Sequence, residues 1–420
     1  MNVGFVGLSH LGICYMIASA YKKINVYGFD LDATRIKNLK NNKFEIEEKD
    51  LKKLNNSSKK YIKFFDKFDY LINCDLVFIS EDVKTDKKGK SDLSKVYKYL
   101  KIVTKNLKKS STIVILSQVH PGFTRNIDWD KAKLFYKVET LVIGNAINRA
   151  LNPERIIIGS QDSKLKKNSA FYKYLYKFNC PIIKMNYESA ELSKISINMF
   201  LISSVSTANI LASISEKIGA DWSNIVKSLR LDKRIGKYSY IDTGLGLSGG
   251  NLERDLLSII NLSNLNKINP QIFDSYYNSS IINRNWAYNI FKKYSLNLNK
   301  GDKIGILGLT YKEGTNSIKN SSSIELLTKL FNKKVYCYDP KADLSGIKMK
   351  IQRCANVLEV IKNSKVLFIM TKWPEFKKIK LETLKKYMKG KIIIDPYGIL
   401  KNKKPNKYDF LYFAKGISKK

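Results

Sequence analysis

Short runs rich in Val, Ile and Phe recur along the chain at intervals that leave room for one helix between successive runs. Runs of this kind, apolar on both faces, belong to parallel sheets whose crossovers are helices. They fall into two sets. The first is NVGFVG, INVYGFD, DLVFIS, STIVILS, KLFYKVE, RIIIGS and CPIIKM, ending near Met185, and the second is KIGILGL, KVYCYD, KVLFIMT and KIIIDP, opening at Lys303. Between them, Glu188 to Lys300 has helical periodicity, interrupted by a glycine cluster at 244–250. The layout is α/β, helical, α/β.

A composition that is 44% hydrophobic supports large cores and excludes a disordered or fibrous chain. Lys and Arg number 75 against 37 acidic residues, a net charge of +38. The basic residues are spread over the whole length with no aromatic-interleaved tract, so no nucleic-acid partner is expected. The five cysteines show no CxxC spacing and are odd in number, which points to neither a zinc site nor a disulfide framework and suits a cytoplasmic protein. The opening MNVGFVGLSHLG has no signal-peptide pattern. Residues 195–215 carry no charge, but nine of them are Ser, Thr or Asn, too polar for a lipid-facing span. A buried or subunit-interface helix is expected there, and no membrane partner.

The run NVGFVG leads directly into GLSHLG and a helix-compatible segment, and INVYGFD ends in Asp30. A dinucleotide needs glycines where its diphosphate meets a helix N-terminus, and an acid at the end of the second strand for ribose hydroxyls. Gly7 and Gly12 meet the first and third glycine positions, Ser9 replaces the second, Leu11 lies in the same turn, and Asp30 favours NAD over NADP. His10 and His120 are the only histidines and are expected in loop or packing roles, with no metal site.

Longer motifs follow. SQVHPGFTR (117–125) resembles the STVPPGTTR loop of the UDP-glucose/GDP-mannose dehydrogenase family, and GKSDLSKV (89–96) its GxxDLSxV. ETLVIGNAINRALNPERIIIGS (139–160), AELSKISINMFL (190–201), DKRIG (232–236) and TGLGLSGGNLERD (243–255) are similar to the corresponding family motifs in the same order. So are GLTYKEGTNSIKNSS (308–322) and TKWPEF (371–376), so the resemblance covers the chain from end to end. It implies two Rossmann-like doubly wound parallel-sheet domains joined by a central helical segment. These would be an NAD-binding domain at 1–187, a helical dimerisation segment at 188–300 and a nucleotide-sugar domain at 301–420, in a homodimer formed through the central helix. Family members oxidise one sugar carbon by two hydride transfers to NAD, through an aldehyde and a cysteine thioester, to an acid.

Carried over by motif, Lys194 and Asn198 would stabilise the developing alkoxide, Asp255 would order a water, and Glu139 would assist thioester hydrolysis. Ser117, Gln118 and Lys319 would join Gly7, Ser9, Leu11, Gly12 and Asp30 at the cofactor. Arg234, Gly246, Gly249, Gly250, Tyr311 and Lys312 would hold the nucleotide sugar. The departure is Asn251, which stands at the position of the nucleophilic cysteine. An amide cannot form a thiohemiacetal. Gln118, Arg254 and Tyr397 also depart, and SEDVKT (80–85) replaces VPTP. The expected activity is a two-electron oxidation of a nucleotide sugar to an aldehyde or ketone. The alternatives are a four-electron oxidation to a uronic acid for polysaccharide by a noncovalent route, and a non-catalytic nucleotide-sugar-binding protein.

Overall fold

The structure is a computed structural model that describes residues 1–420 apart from 87–88, 163–164, 296–297, 300, 346, 348–350 and 419–420. Residue 300, the expected end of the middle segment, lies outside the described residues. In the first part the strands are β1 (Asn2–Val6), β2 (Asn25–Phe29), β3 (Ile62–Phe65), β4 (Leu76–Ile79), the small hairpin β5 (Lys84–Thr85) and β6 (Ser91–Asp92), β7 (Thr112–Ile115), β8 (Leu134–Lys137), β9 (Ile156–Ser160) and β10 (Ile182–Asn186). The helices here are α1 (His10–Tyr21), α2 (Ala33–Lys40), α3 (Leu51–Ser57), α4 (Ser94–Asn106), α5 (Ala146–Leu151) and α6 (Ala170–Tyr176).

All seven expected runs form strands of one sheet, ordered β10-β9-β8-β7-β4-β1-β2-β3. The chain lays β2 and β3 on one side of β1 and returns to β4 on the other. Strand order therefore reverses between β1 and β4, which leaves a crevice at the carboxyl ends of these strands. Val3, Phe5, Phe78 and Val114 pack one face against α1, α5 and α6. Val6, Val77, Ile79 and Ile113 pack the other against α4. Wholly parallel pairing is not found, because β9 runs antiparallel to β8. The β8–β9 connection holds only α5, roughly 9 Å long at 1.5 Å per residue, and it packs on α1 instead of returning along the sheet.

The later helices are α7 (Tyr187–Ile218), α8 (Trp222–Leu231), α9 (Asn251–Leu265), α10 (Gln271–Arg284), α11 (Trp286–Tyr294) and α12 (Ser322–Lys329). The second sheet comprises β11 (Lys303–Leu307), β12 (Lys334–Tyr338), β13 (Gln352–Arg353), β14 (Ser364–Ile369), β15 (Ile392–Ile394) and β16 (Leu411–Phe413). Its order is β13-β12-β11-β14-β15-β16, and every pairing is parallel.

The chain divides into two compact units, Met1–Ile197 and Asn198–Lys420, with α7 continuous through the division. In the second unit Ala287 and Phe291 of α11 share a core with Ile304, Ile306, Val366 and Phe368 of the sheet. α7 is long and apolar enough to cross a membrane by length and composition. Within the second unit it buries Asn198, Ser206, Asn209 and Ser215 on one side, while Phe200, Ile210, Leu211, Ile214 and Ile218 are exposed at helical spacing on the other.

Candidate active site

In the first unit, β1 enters a turn that requires glycine twice. Gly7 has φ +89°, and a Cβ there would stand 2.9 Å from Cβ of Glu81. A Cβ on Gly12 would fall 2.1 Å from the Gly7 carbonyl oxygen, so no side chain fits at this crossing of α1 over the turn. Ser9 precedes α1 but does not cap it: its hydroxyl accepts the Asp82 N–H at 2.8 Å and lies 3.3 Å from the Ser80 carbonyl. The Leu11 N–H donates to Asp82 Oδ2 at 3.3 Å.

Asp30, at the end of β2, is 2% exposed. Its carboxylate accepts the Leu8 N–H at 2.7 Å, the Asp32 N–H at 2.9 Å, and the Tyr99 hydroxyl and Arg35 guanidinium at 3.1 Å each. A glycine turn that no Cβ could share, a helix N-terminus and an acid ending the second strand together fit a dinucleotide. Ser117 is buried and donates to the Glu81 carbonyl at 2.7 Å, joining the loops after β4 and β7 at this edge, and partly buried Gln118 follows it.

Glu139, just beyond β8, pairs with Lys194 of α7 at 2.6 Å, both side chains largely buried. Glu191, one turn earlier on α7 and fully buried, accepts the Gly122 N–H at 2.6 Å and the Thr124 N–H at 2.9 Å. It thereby fastens the 117–125 loop to the helix that carries Lys194. His10 lies 2.8 Å from Glu48, whose carboxylate also accepts the Gly144 and Ala146 N–H groups at 2.7 and 2.9 Å. His120 is exposed, with its ring on Phe123.

In the second unit, Asn198 stands one turn beyond Lys194 on α7. Its Nδ2 donates to Asp255, which is 0% exposed and also accepts from Arg254 Nε at 2.8 Å. The glycine loop leads into α9, whose first residue is the exposed Asn251, four residues before Asp255 and on the same side. Gly246, at φ +74°, passes so close to Ser280 that a Cβ would stand 2.5 Å from its carbonyl oxygen. Gly249 lies against the Tyr311 ring and Gly250 against the Lys319 side chain. Lys312 Nζ is 5.7 Å from the Tyr311 ring centre. The structure thus gathers Gly246, Gly249, Gly250, Asn251, Tyr311 and Lys319 around one loop, and Lys319, expected at the cofactor, leans on that loop. Arg234 stands apart, its side chain 89% exposed and paired with Asp232 at 2.6 Å.

Two buried lysines escaped the sequence reading. Lys137 Nζ sits 3.9 Å from the centre of the Tyr15 ring, and burial pulls its pKa down to about 7 against the upward pull of Glu139. Lys415 donates to the Gly244 carbonyl at 3.1 Å and to Asn283, anchoring the start of the glycine loop, and burial brings it also to about 7. The available signal was a lysine inside or beside an otherwise apolar strand run.

Comparison with known proteins agrees with this geometry. The UDP-glucose/GDP-mannose dehydrogenase family's NAD binding domain matches residues 1–178, its central domain 188–280 and its UDP binding domain 305–402. The UDP-glucose 6-dehydrogenase of Rickettsia prowazekii (strain Madrid E) is 31% identical over 444 residues, covering 99% of each chain. The UDP-glucose 6-dehydrogenase TuaD of Bacillus subtilis (strain 168) is 26% identical, covering 99% of this chain and 93% of that one. Two solved structures share the fold. A UDP-glucose dehydrogenase from Pyrobaculum islandicum has a TM-score of 0.86 at 22% identity, covering 100% of this chain and 97% of that one. A UDP-D-ManNAc dehydrogenase from Pyrococcus horikoshii has a TM-score of 0.84 at 20% identity, covering 99% of each. On glycine turn, buried pairs and full-length likeness together, the chain belongs to the UDP-glucose/GDP-mannose dehydrogenase family.

Proposed function

We propose that this NAD-dependent nucleotide-sugar dehydrogenase removes two electrons from one hydroxyl of a UDP-linked sugar and releases an aldehyde or ketone. The observation that carries this reading is Asn251, the first residue of α9 directly after the glycine loop. Its amide offers hydrogen bonds to a sugar oxygen but no nucleophile for a covalent intermediate.

NAD supplies the hydride acceptor. Lys194 and Asn198 donate to the oxygen on which negative charge develops as the hydride leaves. Glu139, 2.6 Å from Lys194, keeps that ammonium in place. Asp255 is fully buried and takes one N–H of the Asn198 amide, which leaves the other N–H for the oxyanion. Asp255 keeps the water-ordering role expected for it as well, and that water takes the hydroxyl proton as the hydride leaves. Gly7, Ser9, Leu11, Gly12, Asp30, Ser117, Gln118 and Lys319 would serve the cofactor. Gly246, Gly249, Gly250, Tyr311, Lys312 and Arg234 would serve the nucleotide sugar.

The segments 1–187, 188–300 and 301–420 divide these tasks between cofactor, dimer and sugar. The working form is a cytoplasmic homodimer, whose contact would be the exposed apolar side of α7. A second reading, four-electron oxidation to a uronic acid through the aldehyde hydrate, is favoured by the names of the curated relatives, UDP-glucose 6-dehydrogenases. Asn251→Cys separates the two. The variant is expected to gain acid product and a second NADH per sugar where the parent has neither. Identical products from parent and variant would contradict the role given to Asn251.

A further inference from the structure

The loop after β4 departs from the family motif and brings two carboxylates to the glycine turn. Glu81 is 4% exposed; one of its oxygens pairs with Lys95 at 3.0 Å, and the other, Oε2, is buried without a hydrogen-bond partner. Asp82 is tied to the turn through Ser9, and its Oδ2 holds the Leu11 N–H at 3.3 Å. That amide is one of the first-turn donors of α1 that have no partner within the helix, the group that a bound diphosphate takes. A carboxylate and a diphosphate oxygen cannot share it.

We propose that Asp82 competes with the NAD diphosphate for the first turn of α1. Its carboxylate occupies the Leu11 amide while the cofactor is away, and lies close to the diphosphate as a like charge once the cofactor has displaced it. The inference rests on the dinucleotide site proposed at Gly7–Gly12. It makes the loop after β4 a determinant of cofactor affinity, and it favours release of NADH after each hydride transfer over retention.

The surroundings reinforce the competition. Asp82 faces His10 and Cys14 of α1, Glu81 and Glu139. Among the described residues Lys95 is paired with Glu81, Arg35 with Asp30 and Lys194 with Glu139, while His10, paired with Glu48, also acts on Asp82 and holds its pKa down. Asp82 is exposed on one side, yet desolvation where it packs on the turn raises its pKa, and burial raises that of Glu81. Protonated Asp82 no longer repels a diphosphate, so NAD binding takes up a proton and tightens as pH falls.

Calorimetric titration of the full chain with NAD at about pH 6 and about pH 8 tests this on the parent, Asp82→Asn, Asp82→Ser and Gly12→Val. Both Asp82 variants are expected to bind NAD about ten-fold or more tightly than the parent at the higher pH, and to lose most of the pH dependence. Gly12→Val is expected to abolish binding. Equal or weaker affinity in both Asp82 variants, with unchanged melting temperatures, overturns the competition and leaves the dinucleotide site standing. Binding that survives Gly12→Val overturns the site and the inference with it.

Discussion

α1 and α9 each begin at a glycine turn, and each has an ionisable group buried close to its start, yet the two groups are treated differently. Next to α1, Lys137 lies over the Tyr15 ring and makes no ion pair among the described residues. At α9, Asp255 is held by Asn198 on one oxygen and Arg254 on the other. A buried charge bonded on both sides is a fixed part of its site, whereas an unpaired one tends to give up its charge. The turns themselves are backbone devices that admit no side chain. They remain while the groups around them change, Asp82 facing one helix start and Asn251 forming the other.

Removing the bonded group should have the larger effect. Asp255→Ala leaves Arg254 and the Asn198 amide without this acceptor in a buried setting, and is expected to lower stability by about 3–5 kcal/mol. It should also lower kcat by roughly a hundred-fold or more as Asn198 loses its orientation. Thermal melts and turnover measured on one preparation check both, and an unchanged melt would show that the carboxylate is not structural.

Removing the unpaired group should have the opposite sign. Lys137→Met is expected to stabilise the chain by a few kcal/mol, at about 1.4 kcal/mol per pKa unit, below pH 7, where the parent must keep a buried charge. Between the folded pKa of about 7 and the ordinary 10.5, the unfolded parent holds a proton that the folded parent has lost, so parental stability rises with pH. The advantage of the variant should shrink across that window. A gain independent of pH would contradict an unpaired charge at this position.

The strands were legible because unbroken Val/Ile/Phe runs have few other uses in a soluble fold. β3 was not, since IKFF is interrupted by Lys63 and sits at a sheet edge with one partner. The antiparallel β9 was hidden because connection length alone does not reveal that α5 turns onto α1. At the site, Gly7, Gly12 and Asp30 were legible through the backbone geometry and the strand end they occupy. The Asp82–Leu11 contact joins residues 71 apart in sequence, so only the fold shows it. Lys137 lies inside the apolar run of β8, where nothing else in the sequence marks its ammonium as buried. The bond from Arg254 to its neighbour Asp255 depends on a rotamer that no spacing reveals.

The most direct test of the two-electron reading is the count of NADH formed per sugar consumed, with the product's mass, over a panel of UDP-, GDP- and CDP-sugars. One NADH per sugar, and a product lighter by two hydrogens, is the predicted result. Two NADH per sugar with an acid product would contradict it.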